Sequence, residues 1–442
     1  SATLADMPTN IPKRAADTRE AIPDRVPQVR VYRAWPVAEN GHRDANLLTL
    51  LSQVLGGSAA SRLDTRLVHG DKLADNVSTS YWNSEISGTF FITSTIKDPA
   101  DTAKVEAIVG EELARLLKDG PTAAELEQAK TAIRAEFVRG IERIGGFGGK
   151  SDVLAECAVY AGTPDCYRDD LAVLMAATPA QVRDAGRKWL GAGSHTIVVE
   201  PSQTPASSLP EAASAAPAKA PAALPAPDPK FTTVASDVDR SAGPPTTERF
   251  PDLTFPALQR ATLSNGMQVV LAERPEVPVV QMSMEFPGGY SADVGRKLGT
   301  ASFAMSMLDE GAGEYGALQL ASRQEALGAT IGASAGLDSA SVGLSALKDK
   351  LAESLDLYAD VLRRPRFDAA ELERVRATWL AGIKQEKARP QTAALRVLPP
   401  LLYGDGHPYA IPFTGSGTEA SIASLTRDDL VAFHRDWLQP ER

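Results

Sequence analysis

The sequence has few of the residues that build metal centres and redox sites. Its 442 residues include only two cysteines and five histidines. No two of the histidines are close enough in sequence to form a local metal pair, and no histidine or second cysteine pair accompanies the two cysteines. Aromatic residues make up only 6% of the chain. No apolar run reaches about 18 residues, so the sequence predicts no membrane span.

The chain also has fewer basic than acidic residues, 46 against 56. The formal net charge is −10, whereas proteins that bind phosphate backbones present a basic face. The sequence therefore excludes nucleic acid as an expected partner. An apolar content of 43% and a charged fraction of 23% are ordinary for a folded protein. The chain is too long for one core, which predicts at least two domains. It begins at Ser1 without a signal peptide, which indicates a processed or excised piece.

The two cysteines, Cys157 and Cys166, flank a Gly-Thr-Pro turn. A helix–turn–helix at this point would bring them within disulfide reach. A disulfide would favour an oxidising compartment, and on this basis we expect a bacterial periplasm. Two unrelated thiols, one of them buried, explain the same spacing equally well, so both alternatives stay open.

Composition divides the chain into four segments. Residues 1–28 are polar and contain proline, which indicates an incoming linker, and residues 201–254 form a second linker rich in proline, alanine and serine. The units between and after them, 29–200 and 255–442, repeat the same plan. The pentapeptide Ala-Ala-Glu-Leu-Glu occurs at 123–127 and again at 369–373, and Thr178 and Trp189 recur in order as Thr426 and Trp437. This spacing indicates an internal duplication.

Hydrophobic periodicity predicts both strands and helices in each unit. The first unit has alternating runs at 29–35, 73–81, 88–96 and 194–200, and helical spacing at 46–55, 104–117, 123–144 and 178–190. We therefore predict an α+β fold in which each unit has a mainly antiparallel sheet with helices packed on one face. The second unit ends soon after the helix that matches 178–190. It lacks a closing strand, so we expect the chain to be part of a longer polypeptide.

In the second unit, a predicted strand pair (267–272 and 279–286) and a Pro-Gly-Gly turn precede a buried helix at 299–313 that ends at glycines. Together with Leu263-Ser-Asn-Gly-Met267 and Tyr403-Gly-x-x-His407-Pro-Tyr409, this order resembles the insulinase, pitrilysin and mitochondrial-processing-peptidase family of zinc peptidases. In the first unit, Leu55-Gly-Gly-Ser58 followed by Ser61-Arg-Leu63 resembles the non-metal domain of that family.

The family carries the inverted zinc motif His-x-x-Glu-His on this helix. The resemblance places Ser302 and Ser306 at the two histidine positions, Met305 at the glutamate position, and Gly382 at the third zinc ligand. Serine hydroxyls are poor zinc ligands, methionine cannot act as a base, and glycine has no side chain. The resemblance therefore implies no metal and no catalytic residue in this chain. It implies zinc in the rest of a parent protein or in a partner.

A second functional pair of the family, an arginine and a tyrosine, matches Val68 and Asp75 and is also lost. In the family, an edge strand of the second domain anchors peptide substrates by backbone pairing. The matching residues here are Asn76, Val77, Ser78, Thr79 and Ser80. Because an ordinary internal strand would have the same sequence pattern, that structural alternative remains open.

The resemblance implies that the two units are the non-catalytic middle of a zinc endopeptidase, which would wall the substrate chamber and hinge its halves. The expected partners are the remaining domains and a peptide substrate. A second hypothesis is an inactive scaffold subunit that works beside a separate active chain. A third is a serine hydrolase, because Gly332-Ala-Ser334-Ala-Gly336 matches the Gly-x-Ser-x-Gly elbow. Its flanks predict a hairpin rather than the strand–turn–helix that an elbow requires.

Overall fold

A computed structural model describes residues 8–203, 239, 241, 243, 252, 254–404 and 406–439. Two α+β units occupy this range, one on each side of the proline- and alanine-rich segment. The predicted linker at 201–254 lies almost entirely outside the described residues. Among the helices of the described part, none is long and apolar enough to cross a lipid bilayer.

The first unit contains five strands and seven helices. In chain order they are β1 (Thr18–Asp24), β2 (Val29–Val37), α1 (Arg43–Gly56), α2 (Arg62–Asp64), β3 (Ala74–Trp82), β4 (Gly88–Ile96), α3 (Thr102–Asp119), α4 (Ala123–Gly140), α5 (Lys150–Tyr160), α6 (Tyr167–Ala176), α7 (Pro179–Leu190) and β5 (His195–Pro201). A π-helical turn, Thr65–Gly70, follows α2, and a 3-10 turn, Pro99–Asp101, precedes α3.

The strands of the first unit form one sheet in the order β1-β5-β2-β4-β3. All neighbours pair antiparallel except β1 and β5, which are parallel. Alternate residues of β4, including Phe90 and Ile92, are buried against the helices. Trp35 of β2 meets Phe90 edge to face at 6.2 Å between ring centroids. The period of two therefore places one apolar face of the sheet in the core.

The expectation that residues 1–28 are an incoming linker is wrong for residues 18–24. These residues form β1, which pairs with β5 over its whole length, from Thr18 opposite His195 to Asp24 opposite Pro201. The strand is polar (Thr-Arg-Glu-Ala-Ile-Pro-Asp) and almost wholly exposed. Without an apolar face it gives no alternation signal, and only its backbone pairing with a distant segment reveals it.

The second unit contains seven strands and seven helices. In chain order they are β6 (Leu258–Thr262), β7 (Gln268–Ala272), β8 (Val279–Pro287), α8 (Thr300–Ser306), β9 (Gly311–Ala312), β10 (Tyr315–Gly316), α9 (Ala317–Leu327), β11 (Thr330–Ala335), β12 (Ser339–Leu347), α10 (Leu351–Arg363), α11 (Ala369–Ala388), α12 (Pro390–Tyr403), α13 (Glu419–Ala423) and α14 (Arg427–Trp437). Two 3-10 turns, Tyr290–Asp293 and Lys348–Lys350, precede α8 and α10.

The main sheet of the second unit has three strands in the order β11-β12-β8, all antiparallel. The predicted pairing of 267–272 with 279–286 is wrong, because β7 pairs with β6 instead. A tight turn joins β6 to β7. Within it the N–H of Leu263 donates to the carbonyl of Met267 at 2.9 Å, and Gly266 has a φ of +88°. The dipeptide Asn265-Gly266 is the strongest short hairpin signal, so this pairing could have been read from the sequence.

The two units contact each other through α4 of the first and through α9 and β12 of the second. Arg139 of α4 donates from Nε to Ser345 Oγ at 2.9 Å and from Nη2 to the carbonyl of Gly328. Gln128 donates to Glu325 at 2.5 Å. A side chain at Gly328, where φ is +60°, would lie 3.0 Å from the Cβ of Ala135. The absence of a side chain at Gly328 therefore allows the two units to approach closely.

The sequence left the state of the two cysteines open, and the structure shows a disulfide between Cys157 and Cys166. The bond joins α5 to the start of α6. Cys157 is the only buried residue of α5, whereas α6 also packs on α4, where Tyr167 stacks on Phe137 at 5.9 Å. The disulfide is therefore the covalent attachment of α5 to α6, beside the hydrogen bonds that Glu156 of α5 accepts from Asn40 at 3.1 Å and Asn83 at 3.2 Å.

Replacing both cysteines by alanine should loosen α5 without unfolding the protein. Closing a loop of this length is worth about 2–3 kcal/mol, and α5 has little other buried surface. We expect the amides of α5 to exchange with solvent about 10- to 100-fold faster in the double variant Cys157→Ala, Cys166→Ala, and in the reduced wild type. The amides of β12 in the second unit provide the control and should not change. Unchanged exchange in α5 would contradict this attachment.

Candidate functional site

A buried carboxylate fixes the start of α8, the helix that carries the degenerate motif. Asp293 is 1% exposed and accepts hydrogen bonds from the backbone N–H of Gly299 at 2.8 Å and of Ala301 at 3.0 Å. Gly299 has a φ of +91°, and a Cβ there would lie 2.8 Å from the Cδ1 of Ile422. The backbone at the start of α8 therefore has a conformation that favours glycine. The carboxylate of Asp293 accepts hydrogen bonds from backbone N–H groups that have no partner within the helix.

Burial raises the pKa of Asp293 to about 7, although the N–H groups of Ala301 and Gly299 partly stabilise its ionised form. A buried carboxyl with this environment is half protonated near neutral pH. It lies under the N-terminus of α8 rather than in a cleft, so its role is to hold the helix.

The motif positions on α8 now serve packing. Met305 is 1% exposed and belongs to the core of the second unit. Ser302 and Ser306 are half-buried, and the hydroxyl of Ser306 donates to the carbonyl of Phe303 in its own helix at 2.9 Å. A hydrogen bond back to the preceding turn is the usual arrangement for a serine in a helix. None of these side chains is oriented as a ligand or base would need.

The structure brings α11, which carries Gly382, next to α8. Trp379 of α11 meets Phe303 of α8 edge to face at 5.4 Å between ring centroids. Gly382 follows Trp379 by one helical turn, and no atom lies within 4 Å of the place where its Cβ would be. The helices that carry Ser302 and Gly382 are thus neighbours, and at Gly382 the structure shows open space.

A loop at residues 413–418 packs beside Ser302 and is held by an ion pair between the buried Arg396 and the half-buried Glu386. The guanidinium of Arg396 donates to Glu386 at 2.6 Å, to the hydroxyl of Ser416 at 2.7 Å and to the carbonyl of Gly417 at 2.5 Å. A Cβ on Gly415 would lie 3.0 Å from the Oγ of Ser302. The loop thus covers the face of α8 on which the first ligand position lies.

The residues present do not fit a zinc ion. Zinc in a peptidase site needs about three nitrogen, sulfur or carboxylate ligands, and the four positions provide two hydroxyls, a thioether and no side chain. Within the part of the chain that the structure describes, no three His, Cys, Asp or Glu residues are arranged to hold a metal. We therefore derive no catalytic step through a metal at this site.

The two positions of the lost arginine–tyrosine pair also have structural contacts. Val68 lies in the π-helical turn and is 5% exposed. Asp75 lies at an irregularity of β3 and accepts a hydrogen bond from Gln28 at 2.5 Å and from Thr378 of the second unit at 3.3 Å. Asp75 therefore helps to join the two units.

The predicted anchor strand lies at an edge of the first sheet. β3 is the last strand in the order and, among the described strands, pairs only with β4. Val77 and Thr79 point into the core, where Thr79 donates to the carbonyl of Ser52 at 2.5 Å. Asn76 and Ser78 are exposed on the other face, and Ser80 is half-buried. β3 is therefore an edge strand and not an internal strand of the described sheet, since it pairs with a neighbour on one side only.

Ser334 does not occupy a nucleophile elbow. It lies within β11, which pairs antiparallel with β12, as the predicted hairpin requires. Its hydroxyl is 3.2 Å from that of Ser341 on the neighbouring strand. An elbow places the serine in a sharp turn between a strand and a helix, so the serine-hydrolase hypothesis lacks its geometry.

The sequence reasoning missed Asp293, Arg396 and Glu386, which hold the degenerate helix and its loop. Asp293 lies six residues before Gly299, which precedes α8. A capping role at that distance can be recognised only when the conformation of the turn between them is known. Arg396 and Glu386 are separated by a proline-containing break between helices, so no fixed helical spacing links them. Only the assembled fold shows that these two charges meet.

Replacing Asp293 by asparagine should flatten the pH dependence of unfolding in the second unit. The folded-state pKa of about 7 lies above the ordinary 3.8, so the stabilising effect of the neutral form is complete below about pH 4. It is lost as the pH rises towards 7. Between pH 4.5 and 8 we expect the free energy of unfolding of the wild type to fall by about 2–3 kcal/mol more than that of Asp293→Asn. Chemical denaturation at each pH measures this, and Asp356→Asn on the exposed face of α10 controls for the loss of one charge. Parallel curves for wild type and Asp293→Asn would contradict it.

The comparisons with known proteins agree with this arrangement. The family model described as the Peptidase M16 inactive domain matches residues 2–133, and the model described as insulinase (Peptidase family M16) matches residues 268–407. The uncharacterized zinc protease Rv2782c of Mycobacterium tuberculosis is 29% identical over 187 residues, which are 42% of this chain and 42% of that protein.

Two further matches are informative. The non-peptidase homolog YmxG of Helicobacter pylori is 25% identical over 182 residues, or 40% of this chain and 41% of that protein. The crystal structure of a peptidase M16 inactive domain from Pseudomonas fluorescens is 34% identical, covers 40% of this chain and 43% of that chain, and has a TM-score of 0.38. The matched stretches thus span less than half of the length of these relatives. The models matched in both units show that the chain belongs to the M16 (insulinase) family of peptidases, with an inactive-domain unit first and an insulinase-type unit second.

Proposed function

We propose that this chain is the non-catalytic central part of a zinc-dependent endopeptidase, in which it walls the substrate chamber and hinges the two halves. The observation that carries the proposal is the replacement of every position of the zinc motif on α8 and α11 by a residue that cannot act as a zinc ligand or a base. A fold of this family with a buried methionine at the position of the base can shape a chamber but cannot perform the hydrolysis. Zinc then belongs to other domains of the parent protein or to a partner.

The contact between the units supports a hinge. On one side His69 of the first unit lies 4.0 Å from Glu371 of the second, and Glu371 accepts from Arg374 at 2.6 Å. Arg374 also pairs with Glu310. Together with the Arg139 and Gln128 contacts, these groups place several polar interactions between the units. Polar contacts between domains are typical of interfaces that move relative to one another.

The free edge of β3 supports a role in holding peptides. Its backbone N–H and C=O groups on that edge can pair with an extended chain, as in other proteins that add a peptide strand to a sheet. Ser78 and Ser80 are small, so a peptide backbone can approach closely. Affinity would come from the main chain, which suits a peptidase that accepts many sequences.

An inactive subunit beside a separate active chain is the second candidate. The observation that favours it is the similarity to a protein named as a non-peptidase homolog, which is consistent with a member that has kept the fold without the activity. The disulfide between Cys157 and Cys166 supports our proposal that the protein works in an oxidising compartment such as the bacterial periplasm.

Metal analysis separates these hypotheses. We expect no stoichiometric zinc in this chain and about one zinc per molecule in the intact parent protein, because the ligands must come from outside the four positions. If the zinc instead copurifies with a distinct polypeptide, the partner-subunit hypothesis is correct. Stoichiometric zinc in this chain by itself, measured by elemental analysis, would contradict both.

A pair of bulky substitutions on β3 should weaken peptide binding. In the variant Ser78→Arg, Ser80→Arg, long side chains lie beside the edge on which the peptide would pair. We expect the Kd of a fluorescein-labelled disordered polypeptide of about 30 residues to rise by about tenfold in fluorescence anisotropy, equivalent to about 1.4 kcal/mol. Tyr32→Arg, on the same sheet but two strands away, is the matched control and should change the Kd less than twofold. An equal Kd for all three proteins would contradict the anchor role.

A further inference from the structure

The outer edge of β3 is unpaired in both copies of the internal repeat. In the described part of the chain, β3 pairs only with β4, and its counterpart β11 in the second unit pairs only with β12. Each of these strands lies at the end of its sheet. Since two units built on one plan leave the same edge open, the described fold has no strand of its own for this position. The edge is therefore a place where an added polypeptide can pair.

The side chains beside this edge change in size along β3. Successive residues of a strand point to opposite faces of the sheet. Val77 and Thr79 are buried, so Ser78, Ser80 and Trp82 lie on the face that points away from the core. The two serines are small, whereas Trp82, the last residue of the strand, is 64% exposed. A polypeptide on this edge would thus pass two small side chains and then a large aromatic one.

Trp82 is held against the sheet by an aromatic contact. Its ring centroid lies 4.7 Å from that of Phe91, with an angle of 57° between the ring planes. Phe91 is on β4 opposite Ser80, so the contact crosses the strand pair diagonally. The ring is therefore oriented before any ligand binds, while much of its surface is exposed. An aromatic side chain that is already ordered contributes binding area at a low cost in conformational entropy.

The second unit has no aromatic side chain at the matching position. Trp82 lies opposite Thr89 at the end of the β3–β4 ladder. At the same end of the β11–β12 ladder, the N–H of Gly336 donates to the carbonyl of Ser339 at 2.7 Å. Gly336 thus occupies the place of Trp82. Both edges offer backbone groups for pairing, and the exposed tryptophan distinguishes the edge of the first unit from that of the second.

We propose that Trp82 fixes the register of a polypeptide bound at β3 by taking an aromatic or large aliphatic side chain beside it. This inference rests on the proposed function, in which the β3 edge holds peptides, and it adds a preference at one position of the peptide. Backbone pairing holds an extended segment of any sequence, and facing side chains on neighbouring strands then interact, with aromatic pairs among the favourable ones. The positions beside Ser78 and Ser80 accept side chains of any size. The substrate class is therefore an unfolded polypeptide in which an apolar side chain marks the segment that is held.

Two fluorescein-labelled peptides of about ten residues, enough to span β3, test this preference. One consists of threonine and serine only, and the other carries a single phenylalanine at its centre. We expect the phenylalanine peptide to bind the complete chain about fivefold more tightly in fluorescence anisotropy. In Trp82→Ala the two peptides should bind equally, whereas Trp82→Phe should keep most of the preference. Tyr32→Ala removes a half-buried aromatic side chain two strands away on the same sheet. It is the matched control and should keep the full preference.

The double variant Ser78→Arg, Ser80→Arg separates this inference from the proposed function. It should weaken both peptides. If it does so but phenylalanine gives no gain in the wild type, or the gain persists in Trp82→Ala, then β3 holds peptides and the register role of Trp82 is wrong. If the double variant binds both peptides as tightly as the wild type does, the anchor role of β3 is wrong and this inference falls with it. Absence of binding at millimolar peptide would overturn both.

Photo-cross-linking on the wild-type protein locates the phenylalanine without relying on a variant that folds. Benzoylphenylalanine replaces it in the peptide, and mass spectrometry of the digested product identifies the attached residue. Cross-links should lie in β3 and β4 near Trp82 and Phe91. Cross-links in β11 would show pairing at the edge that lacks the aromatic side chain. Cross-links at the exposed Leu401 or Leu402 of α12 would show capture by another apolar surface, and either result would overturn the proposal.

Discussion

The burial of α8 against β11 and α14 is the constraint on which the second unit depends. Met305 and Phe303 form part of its core, and the helix can lie there because Asp293 satisfies its first N–H groups. A glutamate and two histidines in this helix would need a hydrated, metal-filled space beside it. The same helix face can either pack against an apolar core or line a metal site. In this chain it packs against the core. The loss of each ligand thus removes a polar group from a position that the present fold keeps largely dry.

The sequence alone was sufficient for the fold class. Strands such as β4 alternate strictly, and helices such as α4 and α7 begin with capping boxes at Thr122 and Thr178, so local patterns and the internal repeat predicted an α+β duplication. The resemblance placed Ser302 and Gly382 on neighbouring helices. These predictions rest on residue types and spacing, which are properties of the sequence itself.

The features that sequence reasoning missed depend on contacts between distant segments. β1 is polar and becomes a strand only because β5, far along the chain, offers its edge. The pairing of β7 with β8 was a reasonable reading of two adjacent apolar runs, yet the Asn265-Gly266 turn joins β7 to β6 instead. Arg396 and Glu386 show the same limit. Each is an ordinary surface residue by type, and only the fold of α11 and α12 around the loop at 413–418 brings the buried Arg396 against the half-buried Glu386.

The first sheet has two edges of different character. β1 lies at one edge and is polar and almost wholly exposed. β3 lies at the other edge, where Val77 and Thr79 are buried and Asn76 and Ser78 are exposed on the outward face. A peptide that adds at β3 would pair through main-chain groups, so the proposed anchor needs no particular side-chain sequence in the peptide. The buried side chains of β3 fix the position of its backbone, and its exposed edge is therefore the one that suits the proposed role.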